Sequence, residues 1–178
     1  MLLDKNKTLN CRGRLVVLDR PLVMGILNLT PDSFFDGGKY NSVDAALNRT
    51  EAMLTEGAEM LDLGAYSSRP GADHISSDEE LNRLIPALSE ISKQFPEAIL
   101  SVDTFRSEIA KHALDSGAHM INDISGGNLD SDLPIVAAKN NAPYICMHMK
   151  GTPQTMQQNL NQEEVTDIVL DFFAQRVP

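Results

Sequence analysis

Five short apolar runs recur along the chain, each followed by a loop rich in glycine, serine or proline and then by a stretch with helical periodicity. Runs of this length are too short for buried helices, and strands that are apolar on both faces are typical of a parallel sheet covered by helices. The predicted strands lie at residues 22–28, 60–65, 99–104, 120–125 and 144–149. Strand alternating with helix five times predicts the α/β class.

The intervening stretches predict five helices, several of them preceded by residues that prefer capping positions. The helices are expected at residues 43–57, 78–94, 106–117, 131–140 and 162–176. The expected N-caps of the first three are Ser42, Ser76 or Ser77, and Thr104. Gly57 and Gly117 stand where the C-caps of two helices are expected, because glycine readily takes the left-handed conformation found there.

Ahead of the first unit, residues 8–19 predict a β-hairpin that turns around Arg12–Gly13. The strand starts are spaced by about 30 residues, which fits either an open doubly wound sheet or the first five units of an eight-stranded barrel. A closed (β/α)8 barrel takes roughly 250 residues. We expect one domain over residues 1–178, truncated at its carboxyl end relative to the fold that it encodes.

The net charge of the chain argues against some classes of binding partner. Fifteen lysines and arginines stand against twenty-five aspartates and glutamates, a net charge of −10. Such a chain is a poor candidate for binding nucleic acid or an anionic membrane, so an anionic substrate would need cations concentrated locally. No run approaches the 18 or so apolar residues that cross a bilayer, and the first residues do not read as a secretory signal. We therefore expect a soluble, cytoplasmic protein.

Polar side chains interrupt four of the five predicted strands near their carboxyl ends. They are Asn28, Asp62, Asp103 and the neighbouring pair Asn122 and Asp123. Any one of them is explained equally well by an Asx-turn or a helix cap. Four strands with a carboxylate or amide at a similar depth favour a shared site, because ligands bind at the carboxyl ends of parallel strands. Carboxylates and amides together suit a heterocycle whose edge carries N–H donors beside a carbonyl.

Two loops that follow the first two strands carry a second signal. Residues 29–38 place two phenylalanines in a polar loop, which is unusual unless they cover something, and residues 67–69 read Ser-Ser-Arg, a combination that suits a phosphate. The alternative for both loops is ordinary turn chemistry, since Pro-Asp and Gly-Gly are common loop residues. Further along the second loop, His74 could approach the anion, but we expect solvent exposure because loop histidines are mostly exposed.

Four segments in series resemble the signatures of dihydropteroate synthases. They are MGILNLTPDSFFDGG (24–38), LDLGAYSSRPGA (61–72), SVDTFRSEIAKHALDSGAHMINDISGG (101–127) and MHMKGTPQTMQ (147–157). The resemblance covers the amino-terminal two-thirds of that family's pterin-binding (β/α)8 barrel. It implies a transferase of folate biosynthesis that condenses (7,8-dihydropterin-6-yl)methyl diphosphate with 4-aminobenzoate and releases diphosphate. It also implies sulfonamide sensitivity for the family and a homodimer for the full-length enzyme.

The resemblance also implies roles for individual residues. Asn28 is similar to the family's Mg²⁺ ligand, and Ser68 and Arg69 to its second-loop pair, with the serine on the diphosphate and the arginine near both the anion and the aminobenzoate. The implied pterin ligands are Asp103, Asn122, Ile124, Met147 and, as part of the polar floor, Asp62. The implied aminobenzoate and loop residues are Thr30, Pro31, Asp32, Ser33, Phe34, Arg69 and Pro70.

Some positions depart from the family pattern. The usual stretch Gly-Gly-Glu-Ser-Thr-Arg-Pro-Gly reads here as GAYSSRPG at residues 64–71, in which Ser68 keeps the hydroxyl of the threonine. The family's later pterin aspartate, its Ser-Arg-Lys-type lysine, and its last arginine and histidine have no counterpart, so activity of the 178 residues alone is not expected. Two alternatives stay open: a non-catalytic pterin-binding remnant, and a pterin-dependent methyltransferase-type barrel, against which the diphosphate signals argue.

Overall fold

A computed structural model describes residues 7–30, 39–67, 74–153, 155–156 and 165–176, with residues 39–42 described by their backbone. The strands are β1 (Thr8–Cys11), β2 (Arg14–Val17), β3 (Met24–Asn28), β4 (Met60–Gly64), β5 (Ile99–Asp103), β6 (Met120–Asp123) and β7 (Tyr144–Cys146). The helices are α1 (Lys39–Thr55), α2 (Ser77–Gln94), α3 (Ser107–Asp115), α4 (Leu133–Lys139) and α5 (Val165–Arg176).

Strands β3 to β7 form one parallel sheet in chain order, β3-β4-β5-β6-β7. A doubly wound sheet would reverse its strand order at a switch point, whereas an unbroken sequence of neighbours is the order of a (β/α)8 barrel. The α/β class and the partial barrel with about five strand–helix units are therefore confirmed. The predicted hairpin is confirmed as well, since β1 and β2 pair antiparallel around Arg12 and Gly13, both of which have positive φ.

The register of the sheet places polar side chains side by side. Asn28 pairs with Gly64, Gly64 with Asp103, and Asp103 with Asn122; we call these four residues the polar row. A second row runs through Ile26, Asp62, Ser101 and Met120. Because side chains alternate between faces along a strand, the two rows share one face of the sheet.

Two apolar cores lie on opposite faces of the sheet. The larger core joins the sheet to its helices through buried leucines, isoleucines and alanines such as Leu63, Leu88 and Ile109. The smaller core joins Cys11 of the hairpin to the first residues of three strands, and its buried members are Cys11, Met60, Ile99 and Met120. The hairpin therefore covers the amino ends of the strands. This leaves the carboxyl ends, where the polar row lies, as the accessible side.

The helix ends agree with the sequence in part. The Glu79 N–H donates to the Ser76 hydroxyl over 3.2 Å, so Ser76 is the N-cap of α2. Gly57 and Gly117 have φ of +106° and +110° just beyond α1 and α3, as expected of C-cap glycines. Ser42 is a wrong N-cap prediction, because α1 begins earlier, at Lys39.

Thr104 is also a wrong N-cap prediction. The N-cap of α3 is Arg106, which makes no side-chain capping bond. The Thr104 hydroxyl instead donates to Glu80 over 2.8 Å and accepts weakly from the Arg106 N–H at 3.3 Å. The charge-assisted bond to the buried Glu80 carboxylate holds the Thr104 side chain in place, so its hydroxyl oxygen does not accept from the N–H groups of the first turn of α3.

In the described part of the chain, no helix combines the length and the apolar character needed to cross a bilayer.

Candidate functional site

Asn28 and Asp103 converge over Gly64. A Cβ atom placed on Gly64 would lie 3.5 Å from Asp103 Oδ2 and 3.8 Å from Asn28 Oδ1. The strand between them carries no side chain at this register position, so the two oxygens border the same small space. Asn28 is exposed, whereas Asp103 is half-buried. The arrangement offers an amide oxygen at the solvent edge and a carboxylate behind it.

Asp62 and Asn122 meet across the intervening strand β5. The Asn122 side-chain amide donates to Asp62 Oδ2 over 2.8 Å. A contact between β4 and β6 requires the sheet to curve, and in a barrel the side chains of one layer come from alternate strands. The polar face is therefore concave, and it holds Asp62 and Asn122 at one depth.

The floor of this concave face has unused hydrogen-bonding capacity. Asp62 is 6% exposed, and its Oδ1, like the Ser101 hydroxyl beside it in the second row, is buried without a hydrogen-bond partner in the described residues. A buried polar atom without a partner costs free energy, about 1–3 kcal/mol in proteins. A ligand that brings N–H donors to this floor would recover part of that cost.

Burial raises the pKa of Asp103 to about 7, and the negative charges of Asp62, Glu80 and Asp123 add to the effect. Asp103 therefore changes charge near neutral pH. In its charged form it accepts hydrogen bonds from ring N–H or amino groups, and in its neutral form it also donates one.

Ile124 and Met147 lie beyond the ends of neighbouring strands. Ile124 is half-buried and Met147 is 38% exposed. The Met147 N–H donates to the Asp123 carbonyl over 3.1 Å, which brings the two loop starts together. Both residues therefore lie at the carboxyl ends of neighbouring strands, the end of the sheet where the polar row lies.

The remaining predicted residues belong to the two loops. Thr30 is half-buried, two residues beyond β3, and the preceding Leu29 N–H donates to the Gly64 carbonyl over 2.7 Å. Seven predicted residues lie outside the described residues, and their roles stay predictions: Pro31, Asp32, Ser33, Phe34, Ser68, Arg69 and Pro70.

The Asp123 side chain stabilises the turn after β6, a role that the resemblance did not imply. Its buried carboxylate accepts from the Ser125 N–H at 2.7 Å, the Ser125 hydroxyl at 2.8 Å, the Gly127 N–H at 2.7 Å and the Tyr144 hydroxyl. Burial and the bond to Asp123 raise the pKa of Tyr144. The Asx-turn alternative therefore holds at Asp123, and the turn fixes the loop that carries Ile124.

Glu80 is a neighbour of the candidate site that the sequence analysis did not single out. It is fully buried on the first turn of α2, where it binds Thr104 and Arg106. Burial raises its pKa in spite of these partners, and its charge acts on Asp103. A glutamate in an acidic first turn resembles an ordinary helix-dipole residue, so only the tertiary structure distinguishes it.

Residues 24–178 match the family model described as pterin binding enzyme. The folate synthesis bifunctional protein, mitochondrial, of Arabidopsis thaliana is 50% identical over 147 residues, which are 80% of this chain and 26% of that protein. The dihydropteroate synthase of Synechocystis sp. is 43% identical over 158 residues, which are 89% of this chain and 54% of that protein.

Among solved structures, that of Xanthomonas albilineans dihydropteroate synthase with 4-aminobenzoic acid superposes with a TM-score of 0.85 and 39% identity. The match covers 95% of this chain and 59% of the solved chain. The chain thus spans between about a quarter and three-fifths of these proteins. On the family match and on the shared fold, the chain belongs to the family of pterin-binding enzymes.

Proposed function

We propose that the protein carrying this chain is a dihydropteroate synthase. It would break the C–O bond between a dihydropterin methylene and its diphosphate, and form a C–N bond from that methylene to 4-aminobenzoate. The products are 7,8-dihydropteroate, diphosphate and a proton. The observation that carries the proposal is the concave polar face, on which Asp62, Asp103 and Asn122 present acceptors to one ligand edge. The similarity to synthases of Synechocystis and Xanthomonas supports it.

The pterin ring fits the polar floor by hydrogen-bonding type. Its amino group and ring N–H donate, and Asp103 and the unpartnered Asp62 oxygen accept. Asn122 is held by Asp62, so the amide is fixed in one orientation. Ile124 and Met147 supply apolar contacts at the side of the ring. Binding of the ring would thereby relieve the unpaired oxygen of Asp62.

The diphosphate would lie towards Asn28, Ser68 and Arg69. Arginine binds phosphate through two parallel N–H groups, and the serine hydroxyl adds a donor. Together they supply the local cation and donor that a chain with a net charge of −10 needs for an anion.

Mg²⁺ fits this end of the site by its ligand chemistry. Within the described residues there is no group of three or more His, Cys, Asp or Glu side chains that would enclose a metal. Mg²⁺ does not need one, because it keeps several waters and binds through one or two protein oxygens plus substrate phosphates. Asn28 would supply the protein oxygen, and the ion when bound would neutralise charge on the departing diphosphate.

The proposed reaction requires little proton transfer by side chains of the protein. Departure of the diphosphate leaves a cation delocalised over the electron-rich ring, and Arg69 stabilises the charge on the leaving group. The neutral arylamine then captures the cation and loses a proton. Residues 30–34 and Pro70 would shape the aminobenzoate pocket and keep water from the cation.

The test is formation of 7,8-dihydropteroate from the two substrates by the full natural polypeptide. We expect turnover, and a loss of at least tenfold in kcat/KM for Arg69→Ala and Asp103→Ala. His112→Ala serves as the control, since His112 is exposed on α3, and it should match the unsubstituted protein. Binding of the dihydropterin diphosphate without turnover would refute the proposal and favour a non-catalytic pterin binder.

Two expectations about the whole protein stay predictions, namely a homodimer and a cytoplasmic location. The word mitochondrial in the name of the Arabidopsis protein describes that relative.

A further inference from the structure

The end of strand β5 is anchored on the helix side of the sheet by a residue that the proposed function does not use. Thr104 directly follows β5, the strand that ends in Asp103 of the polar row. Thr104 is 1% exposed, and its hydroxyl donates to Glu80 of α2 over 2.8 Å. Because successive side chains of an extended chain point to opposite faces, this anchor lies behind the sheet, whereas Asp103 lies on the concave face.

The backbone of Thr104 joins the same strand end to β6. Its N–H donates to the Asn122 carbonyl over 3.1 Å, just beyond Asp103 and Asn122, the last register pair of the two strands. Thr104 is therefore tied to β6 through its backbone and to α2 through its side chain. Both bonds lie next to the two polar-row side chains that β5 and β6 contribute.

Glu80 is a firmly held acceptor for the Thr104 hydroxyl. It is completely buried on the first turn of α2. One of its carboxylate oxygens accepts from Thr104, and the other accepts from the Arg106 guanidinium. Arg106 in turn donates to the Ile75 carbonyl over 2.7 Å. Because both oxygens of Glu80 are bonded, the carboxylate has little freedom to move, so its bond to Thr104 restrains the end of β5.

The neighbours of Asp103 within the sheet do little to hold its side chain. Gly64, its partner on β4, has no side chain. The side-chain amide of Asn122, its partner on β6, donates to Asp62 over 2.8 Å. The direction of the Asp103 carboxylate therefore depends mainly on the backbone at the end of β5, and a displacement of that backbone would move the carboxylate relative to Asn122.

We propose that Thr104 is a positioning residue for the pterin ring. By bonding to Glu80 and to β6, it holds the Asp103 carboxylate and the Asn122 amide at the separation at which both bind one edge of the ring. Less conformational freedom is then lost when the ring binds. The inference rests on the proposed function for the roles of Asp103 and Asn122, and it assigns Thr104 no contact with the ring.

The experiment measures pterin affinity after removal of the Thr104 hydroxyl. Thr104→Val removes the hydroxyl with little change in shape, and Thr104→Ser keeps the hydroxyl without the methyl group. Thr50→Val is the matched control, because Thr50 of α1 is also fully buried and its hydroxyl has no hydrogen-bond partner in the described residues. Calorimetry gives the affinity of each full natural polypeptide for 6-hydroxymethyl-7,8-dihydropterin, at a temperature at which urea unfolding shows every variant to be folded.

We expect Thr104→Val to weaken binding of the pterin alcohol about fivefold, as for the loss of one hydrogen bond. Thr104→Ser should recover most of that loss, and Thr50→Val should bind like the unsubstituted protein. In turnover, Thr104→Val should raise KM for the dihydropterin diphosphate and leave KM for 4-aminobenzoate unchanged, because Asp103 and Asn122 are assigned to the pterin.

Amide hydrogen exchange reports on the strand end itself. The N–H of residue 104 donates to the Asn122 carbonyl, so its protection from exchange measures how firmly the end of β5 is held against β6. This protection should fall in Thr104→Val and stay at the level of the unsubstituted protein in Thr104→Ser and Thr50→Val.

Unchanged pterin affinity in Thr104→Val, or an equal rise in KM for both substrates, would overturn the inference and leave Thr104 a purely structural contact. If the unsubstituted protein makes dihydropteroate while Thr104→Val binds the pterin alcohol normally, the inference alone fails. If the unsubstituted protein binds the pterin alcohol without turnover and Thr104→Val binds it less tightly, the proposed function fails and the inference stands. If the unsubstituted protein does not bind the pterin alcohol, both fail.

Discussion

At the residue scale, the candidate site is defined by carboxylates and amides at the carboxyl ends of neighbouring strands, with Asp62 buried, Asp103 half-buried and Asn28 exposed. The pKa of Asp103 is raised, because it is withdrawn from water near three other carboxylates. Asp62 and Asn122 satisfy each other only in part, which leaves one Asp62 oxygen for a ligand. The side chains that are available to bind a ligand are therefore also the ones whose burial lowers the stability of the fold.

The raised pKa of Asp103 predicts a pH-dependent stability. Its pKa is about 7 in the folded chain and near 3.8 ordinarily, so the folded state binds more protons between those values and the free energy of unfolding falls as the pH rises through them. Asp103→Asn removes this dependence. Relative to the unsubstituted protein, we expect the variant to gain roughly 2–3 kcal/mol between pH 5 and pH 8.

Urea unfolding at several pH values, without Mg²⁺ or substrate, measures this difference. Asp44→Asn is the control, because Asp44 is exposed on α1. A difference between Asp103→Asn and the unsubstituted protein that stays constant with pH would show that Asp103 is already charged throughout this range.

Much of the site at this scale could be predicted from the sequence. Polar residues late in apolar strands are rare enough to indicate Asn28, Asp62, Asp103 and Asn122 together. The sequence does not separate Asp123, since an Asx-turn and a ligand present the same residue type. Glu80 could not be found either, because its burial depends on Arg106, 26 positions further along the chain.

At the scale of elements, the strands follow from composition and the helix ends depend on tertiary partners. Short, mainly apolar runs separated by helical stretches are typical of strands in a covered parallel sheet, and all five predicted strands are present. Helix starts were less predictable, because the hydroxyl of a candidate N-cap such as Thr104 can bind a side chain that is distant in the sequence, here Glu80. Pro86 lies inside α2 without dividing it.

A pair of glycine substitutions tests the packing between α2 and α3. Gly117→Ala would place a Cβ 2.3 Å from the Ser92 hydroxyl oxygen and 2.7 Å from the Ser92 Cβ, whereas Gly57→Ala meets nothing within 4 Å. Both residues have strongly positive φ, so both variants carry the backbone cost of about 1 kcal/mol. We expect Gly117→Ala to lose roughly 1–3 kcal/mol more, measured by urea unfolding. Equal losses would mean that α2 and α3 separate without cost.

At the scale of the whole molecule, the sheet has two outer strands, β3 and β7. Ile26, in the middle of β3 and on the concave face, is 66% exposed. A large aliphatic side chain at the inside of a barrel is ordinarily covered by neighbouring strands. The matched synthases of Synechocystis and Xanthomonas are also substantially longer than this chain.

Because β3 and β7 each have one unpaired edge in the described sheet and the matched proteins are longer, we expect the natural polypeptide to have an intact mass of at least about 30 kDa. Mass spectrometry of the natively expressed protein measures this directly. A native mass of 19.5 kDa, that of the 178 residues themselves, would contradict the expectation and count against stand-alone catalysis.

The hairpin at the amino ends of the strands affects which amino-acid substitutions the protein can tolerate during evolution. Its small core of Cys11, Met60, Ile99 and Met120 contains no member of the polar row. Substitutions that tighten that core can raise the stability of the whole chain without replacing a residue of the polar row. Such added stability would allow the carboxyl ends of the strands to accumulate destabilising substitutions, including those that alter which ligand is bound.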